Sequence, residues 1–354
     1  MSLHGDAAEA VRPVDADAAA QARARHDRLT KPPGSLGRLE DLGAQLCAIA
    51  RRCPPPLPEP ATVAVFAGDH GVLEEGISPW PQAVTGQMVS NFALGGAAVN
   101  VLADRVGAEV VVVDVGVAGE VPELPGLRRA KVRAGTGNLA RGPAMTDAEA
   151  AAALDVGAAL AAELAAGGTR CLLTGDMGIG NTTPSAAIIA TVCGLSAETV
   201  TGPGTGVDSA RLARKVQIVT EAVERAEREG RTTPVELLSS LGGLEIAALA
   251  GYIVGGAAAG LPVILDGVIA LAAALIAVAI APEALGYLVA GHRSTEPGAT
   301  AALEHLGLSP VLDLGMRLGE GTGACLALPV VQSAARVLGE MATFDTAGVS
   351  EGPA

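Results

Sequence analysis

The chain has 354 residues, of which 49% are hydrophobic and only 2% aromatic, and its formal net charge is −14. This charge argues against general nucleic-acid binding, because phosphate backbones require a basic surface, but it allows a small anionic ligand held by local donors. The length is sufficient for a large core or two domains. We expect a helix-rich protein, closely packed through alanine and glycine.

The cysteines and the uncharged stretches indicate the cellular setting. The five cysteines are scattered and form no CxxC pair, which is typical of a reduced cytoplasmic protein without structural zinc. Residues 1–20 lack the apolar core of a secretion signal, and we expect them to be disordered or frayed. The uncharged stretch 246–265 approaches the length of a membrane span. It is interrupted by Pro262, so we interpret it as a buried helix, a turn and a buried strand.

The predicted elements follow an α/β order. A helical segment, 19–51, is interrupted at 31–35 and leads into a proline-rich linker. Short apolar runs then alternate with helical stretches such as 148–166 and 209–228. The runs lie at 62–66, 110–113, 171–173, 263–265, 287–290 and 311–312. This alternation predicts a Rossmann-like, mostly parallel six-stranded sheet flanked by helices.

The same pattern predicts two domains. We expect residues 60–325 to form a large α/β domain. Residues 1–59 and 326–354 are expected to form a small helical domain together.

Acidic residues or histidines follow all six apolar runs. In open α/β sheets, ligands bind beyond the carboxyl ends of the strands, so these side chains should converge on one edge. Any single aspartate among them could instead cap a helix, but six together predict a site. The residues are Asp69-His70, Asp114, Asp176, Asp266, His292 and Asp313. The histidines lack HxH or HExxH spacing, so we predict no metal site.

Four glycine-rich loops, at 135–138, 178–182, 201–206 and 319–323, could hold phosphate or ribose, because glycine permits close backbone approach. None matches GxxxxGK[ST], and none follows the first strand as GxGxxG, so P-loop hydrolysis and dinucleotide binding are not supported. Lys215, in the helix after the third loop, is either a phosphate partner or a solvated lysine.

Glu320 is the sharpest catalytic candidate, because it stands between two glycines where a packing role is unfavourable. If it is buried beside apolar neighbours such as Leu318, its pKa should rise toward the range of a general base. The alternative is an exposed loop acid.

Eight sequence blocks carry a family resemblance. They are KPPGSLGRLE at 31–40, AGDHGV at 67–72, VTGQMV at 84–89 with NF at 91–92, GDMGIGNTT at 175–183, GTGVD at 204–208, GGLEIA at 242–247, STEPG at 294–298 and GEGTGA at 319–324. In these blocks, from about residue 29 to near the C-terminus, the chain resembles the nicotinate-nucleotide–dimethylbenzimidazole phosphoribosyltransferases.

The resemblance implies a reaction and a site. Nicotinate mononucleotide gives its phosphoribosyl group to 5,6-dimethylbenzimidazole, yielding α-ribazole 5′-phosphate and nicotinate for the nucleotide loop of cobalamin. Glu320 maps to the catalytic base, and Asp176 maps to the assisting acid, which is Glu in many members. Lys215 maps to the phosphate lysine, and a homodimer is implied. The other expected substrate-binding residues are Ser78, Trp80 and Gln87 around the benzimidazole, and Gly178, Gly180, Asn181, Thr182, Gly204, Ser294, Leu318, Gly321 and Gly323.

The chemistry agrees with this assignment. A pyridinium leaves as a neutral ring nitrogen, so no leaving diphosphate needs Mg²⁺, and no cofactor is expected. One carboxylate at the acceptor N–H suffices as base, and attack opposite the leaving group inverts the sugar carbon. Three alternatives remain: another acceptor base such as adenine or a phenol, a non-catalytic nucleotide sensor, or a nicotinamide-dependent oxidoreductase.

Overall fold

A computed structural model describes residues 2–204 and 206–350, and its centre is a parallel six-stranded sheet. The strand order is β3-β2-β1-β4-β5-β6, and all neighbouring strands are parallel. The strands are β1 Ala61–Gly68, β2 Ala108–Gly116, β3 Leu127–Arg129, β4 Cys171–Met177, β5 Val263–Leu265 and β6 Leu288–Ala290. The predicted fold class is confirmed.

Five of the six predicted runs are strands, and the sixth prediction is wrong. Residues 311–312 are not a strand, and Leu312 makes only an isolated bridge to His292. The sixth strand is β3, which contains Arg128 and Arg129 and pairs only with β2 at the sheet edge. An edge strand has one neighbour and a solvent-facing side, so it does not require a continuous apolar run.

Helices cover both faces of the sheet. They are α1 Leu3–Ala10, α2 Ala16–Arg28, α3 Arg38–Ala50, α4 Ala83–Ala93, α5 Ala98–Val106, α6 Asp147–Ala166, α7 Thr182–Cys193, α8 Ala197–Val200, α9 Ser209–Arg228, α10 Pro234–Leu241, α11 Leu244–Ala258, α12 Val268–Ile280, α13 Pro297–Leu306, α14 Thr322–Glu340 and α15 Phe344–Ala347. Along β1, Phe66 packs into the core on one face and Val65 into the core on the other. A Cβ at Gly251 of α11 would overlap the backbone of α6, so glycine allows these helices to touch.

Residues 3–10 and 16–20 are helical, so the expectation that residues 1–20 are disordered or frayed is wrong for the described part of that range, which begins at Ser2. Ser2 caps α1, and Asp155 of α6 accepts a hydrogen bond from the His4 backbone at 2.8 Å and pairs with its ring at 2.7 Å. Helix α1 packs against α6 and α11. His4 and Asp155 are 151 residues apart in the sequence, so no local sequence pattern could have predicted this contact.

A small apolar cluster joins α2, α3 and α14 through Ala22, Ala44, Cys47 and Leu338. The boundary expected at 325 falls inside α14. The division into two domains therefore stays a prediction.

The stretch 246–265 is, as predicted, buried helix, turn and strand, formed by α11 and β5. Among the described residues, one helix, α14, is long and apolar enough to cross a membrane by length and composition. More than half of its apolar window is buried inside the protein, as in the core helix of a folded domain.

Candidate active site

The strand order reverses between β1 and β4, and a cleft of about 630 Å³ opens beyond their carboxyl ends. Such a reversal separates the loops that follow the two strands and leaves a crevice for ligands. The cleft is lined by Trp80, Val84, Met88, Asp176, Met177, Gly178, Ile179, Asn181, Arg317, Leu318 and Glu320. Its walls are therefore mostly apolar, with two carboxyl groups placed among them.

Glu320 lies just before α14 and is only 7% exposed, so the alternative of an exposed loop acid is wrong. Burial raises the pKa of its carboxyl, the nearby Asp266 raises it further, and the N–H of Val99 opposes the shift. That N–H, in the first turn of α5, donates to Glu320 Oε2 at 3.3 Å. A carboxylate with a raised pKa in an apolar cleft is suited to accept a proton.

Asp266, just after β5, holds the backbone that carries Glu320. Its carboxylate accepts N–H groups from Gly321 at 3.0 Å, Gly323 at 2.7 Å and Ala324 at 3.2 Å. His292 packs against the same loop, and a Cβ at Gly323 would overlap its ring. The first turn of α14 is thus held by hydrogen bonds to the buried Asp266 and by packing against the buried ring of His292.

Asp176, at the end of β4, faces the cleft and is 6% exposed. Burial raises its pKa well above the ordinary value, and the neighbouring Asp266, Glu245 and Glu320 carboxyls add to the shift. Asn181 Nδ2 donates to Asp176 Oδ2 at 2.9 Å. A carboxyl in this environment releases its proton less readily than one in solvent.

A smaller chamber adjoins the cleft and contains Lys215, which is 2% exposed, so the alternative of a solvated lysine is wrong. Its Nζ donates to Thr182 Oγ1 at 3.0 Å and to the Gly202 carbonyl at 2.8 Å. Helix α7 begins at Thr182, so the positive end of its helix dipole lies beside the same space. An ammonium group beside a helix N-terminus favours an anion such as phosphate.

The Gly204 peptide is held from both sides. Its N–H donates to Glu296 Oε1 at 2.7 Å, and its carbonyl accepts from Arg317 Nη1 at 2.9 Å. Burial raises the pKa of Glu296, while Lys215 opposes that shift. These contacts fix the loop before α9 against the loop before Glu320.

The structure brings most of the predicted site residues together. The cleft and the two small chambers beside it are lined by Ser78, Trp80, Asp176, Gly178, Gly180, Asn181, Thr182, Gly204, Lys215, Ser294, Leu318 and Glu320. Gly321 and Gly323 do not line the cleft or the two chambers; their N–H groups donate hydrogen bonds to Asp266. Thr205 of the third glycine loop lies outside the described residues.

Gln87 is placed away from the cleft. It lines a separate cavity of about 440 Å³ with Asp69 and Ser90, on another side of α4. Val84 and Met88, one helical turn apart, present the face that lines the cleft. The loop at 135–138 also lies elsewhere, against the backbone of Gly71.

Several site residues were missed from the sequence. Arg317 and Glu296 sit within or beside the matching blocks, and a charged residue next to a glycine loop was the available signal. Met88 was detectable only from its spacing to Val84. Within residues 2–204 and 206–350, no group of three or more His, Cys, Asp or Glu side chains is placed to hold a metal ion.

Comparison with known proteins connects this geometry to a family. A phosphoribosyltransferase family model matches residues 11–349. The nicotinate-nucleotide–dimethylbenzimidazole phosphoribosyltransferase of Salinispora tropica is 55% identical over 97% of this chain and 98% of its own length. That of Desulforamulus reducens is 48% identical over 99% of this chain and 100% of its own length. The crystal structure of CobT from Thermus thermophilus superposes with a TM-score of 0.91 at 50% identity, covering 95% of this chain and 100% of that one.

Proposed function

The chain belongs to the nicotinate-nucleotide–dimethylbenzimidazole phosphoribosyltransferase family, and on that premise we propose how its cleft performs the reaction. It transfers the phosphoribosyl group of nicotinate mononucleotide to 5,6-dimethylbenzimidazole and releases nicotinate and α-ribazole 5′-phosphate, in cobalamin biosynthesis. The observation that carries the proposal is Glu320, a buried carboxylate with a raised pKa, aimed into an apolar cleft beside an anion chamber.

The donor phosphate binds in the chamber of Lys215. The ammonium group and the Thr182 hydroxyl supply positive charge and hydrogen-bond donors, and the N-terminal end of the α7 dipole adds to the positive potential. Gly178 and Gly180 line the same chamber, where the ribose binds. Asn181 lines both the chamber and the main cleft, and it donates a hydrogen bond at 2.9 Å to Asp176 in the main cleft. The sugar carbon is therefore held between the acceptor nitrogen and the departing nicotinate ring.

The acceptor base binds in the main cleft. Trp80, Val84, Met88 and Leu318 form apolar walls, which suit a flat heterocycle bearing methyl groups. The carboxylate of Glu320 faces the acceptor N–H. The two binding sites share Gly178, Ile179 and Asn181 in their lining, so the acceptor nitrogen is brought close to the bond to nicotinate.

In the reaction, one acceptor nitrogen attacks the sugar carbon as the bond to the pyridinium nitrogen breaks. The bonding electrons return to that ring nitrogen, and nicotinate leaves. Glu320 removes the proton from the other acceptor nitrogen, so the product ring is neutral. Attack opposite the leaving group inverts the anomeric carbon from β to α. Asp176, whose carboxyl has a raised pKa because it is buried, orients the sugar.

We also propose that the protein is a cytoplasmic homodimer. The large side chains of Trp80 and Leu318, which line the cleft, are more than half exposed, as expected of a surface that a second subunit covers. Light scattering coupled to gel filtration tests this directly, because a mass equal to one chain would contradict it.

The test of function is product analysis after mixing the purified, metal-free protein with both substrates. Nicotinate release matched by α-ribazole phosphate supports the proposal. Glu320→Gln should lower turnover by about 10²- to 10⁴-fold, the usual contribution of a general base, with donor binding retained. Glu340→Gln, at the far end of α14, is the matched control and should be fully active. Donor binding without release from any acceptor base would favour a nucleotide sensor instead.

A further inference from the structure

Four fully buried polar residues lie behind the Gly178–Ile179–Gly180 loop and line neither the main cleft nor the Lys215 chamber. They are Asp69 and His70 after β1, Thr85 on α4 and Glu245 on α11, each at most 1% exposed. A buried polar network is costly unless its members are satisfied, so its retention beneath a ligand loop calls for a role.

Thr85 connects this network to the loop directly. Its Oγ1 accepts the backbone N–H of Ile179 at 3.2 Å. Burial raises the pKa of the neighbouring Asp69 carboxyl, whereas the N–H of Ala118, which donates to its Oδ2 at 2.8 Å, and the nearby Thr85 hydroxyl lower it. A hydroxyl has one proton and two lone pairs, so Thr85 keeps its own proton for a second partner while it accepts from Ile179.

Gly178, the residue before Ile179, is closely packed against buried atoms. Beneath Gly178 lie His70 and Glu245, whose Nε2 and Oε1 atoms are 2.5 Å apart. A Cβ at Gly178 would lie 3.1 Å from each of these two atoms and would overlap the Gly68 carbonyl. The loop therefore packs tightly against buried atoms at Gly178, and its backbone is hydrogen-bonded to Thr85 at Ile179.

We propose that Thr85 is a positioning residue for the phosphoribosyl donor, because its hydroxyl fixes the Ile179 peptide in a loop that lines both the main cleft and the Lys215 chamber. This inference rests on the proposed function of those two spaces. Thr85 lines neither cavity and touches no substrate. Its effect passes through the loop backbone, so it should appear in donor binding.

Thr85→Val tests the proposal, because it preserves shape and removes only the hydroxyl. We expect the donor Kd by calorimetry and the donor KM to rise about tenfold, equivalent to about 1.4 kcal/mol, within the range for a buried N–H left unpaired. Thr85→Ser should restore donor affinity.

The matched control is Thr62→Val. Thr62 is 1% exposed at the opposite end of the sheet, and its Oγ1 pairs with Thr169 Oγ1 at 3.1 Å. It should lower the Tm without changing the donor Kd. If Thr85→Val lowers the Tm but leaves the donor Kd at the wild-type value, the proposal is overturned.

If Thr85→Val does not fold, Thr85→Ala serves with the same readouts, and a wild-type donor Kd again overturns the proposal. Calorimetry measures donor binding without turnover, so it tests the role of Thr85 independently of the reaction. Weaker donor binding in the variant supports the positioning role even if wild-type protein shows no turnover, an outcome that would count only against the proposed function.

Discussion

The carboxylate of Asp266 accepts the backbone N–H of Gly321 at 3.0 Å and so holds the peptide immediately after Glu320. Glu320 has a φ of 64°, a left-handed conformation that is strained for a residue with a side chain. Such a conformation persists only where its surroundings support it. Asp266 provides that support from the end of a different strand.

Asp266→Asn should therefore impair catalysis more than binding. The amide keeps the size of the side chain but has one acceptor oxygen for three N–H groups. We expect kcat to fall about 100-fold, the effect of a misplacement near 1 Å, with little change in the donor KM. Asp114→Asn is the control, since Asp114 is also buried and accepts the Val117 N–H at 2.9 Å. Equal losses of kcat in both variants would contradict a specific link to Glu320.

The pH dependence of kcat/KM should report Glu320. A base must be ionised, and burial raises the pKa of this carboxyl. Activity should thus be full at high pH and fall as the pH drops through the raised pKa, with the acidic limb above the ordinary glutamate range. Rate measurements across pH with both substrates check this. An acidic limb at or below the ordinary glutamate pKa would contradict it.

Asp176→Asn should stabilise the fold, and increasingly so at higher pH. A carboxyl whose pKa is raised by folding contributes stability at low pH that is lost as the pH rises through the folded value. The amide of Asp176→Asn does not ionise, so the variant does not lose this stability as the pH rises. Melting curves at about pH 5 and about pH 8 should therefore show a larger advantage for the variant at the higher pH. A difference independent of pH would rule out this explanation.

Lys215→Met should weaken donor binding about 10- to 100-fold, the range for loss of a charge-assisted hydrogen bond. The acceptor KM should not change, because Lys215 does not line the main cleft. Lys131→Met is the control, since Lys131 bonds the Gly119 carbonyl at 3.1 Å, outside the donor chamber. Calorimetric titration with nicotinate mononucleotide distinguishes the two variants. Unchanged affinity in Lys215→Met would remove the lysine from the phosphate site.

Two glycines of α14 should respond in opposite ways to alanine. A Cβ at Gly323 would overlap the His292 ring, so Gly323→Ala should cost about 1–3 kcal/mol, as overpacking does. A Cβ at Gly339 meets nothing within 4 Å, so Gly339→Ala should add about 0.5–1 kcal/mol through helix propensity. Urea unfolding of both variants tests the pair. Similar effects in both would contradict the packing argument.

Local patterns were enough to predict the sheet and the main catalytic candidate. Five apolar runs were found because buried parallel strands are nearly continuous in hydrophobic residues. Glu320 was identified because a carboxylate between two glycines has little local structural purpose. The helices α6 and α9 were predicted to within a residue for a similar reason, since their composition and ends are local properties.

Tertiary structure alone decided the rest, because the decisive contacts join residues far apart in sequence. The order of α1 depends on Asp155, and the edge strand β3 depends on β2. Which face of α4 meets the cleft, Met88 or Gln87, depends on where the helix lies on the sheet. The three N–H groups on Asp266 and the bond from Ile179 to Thr85 exist only when strand ends converge. The sequence by itself thus determined which residues could do the chemistry, and folding determined which of them meet.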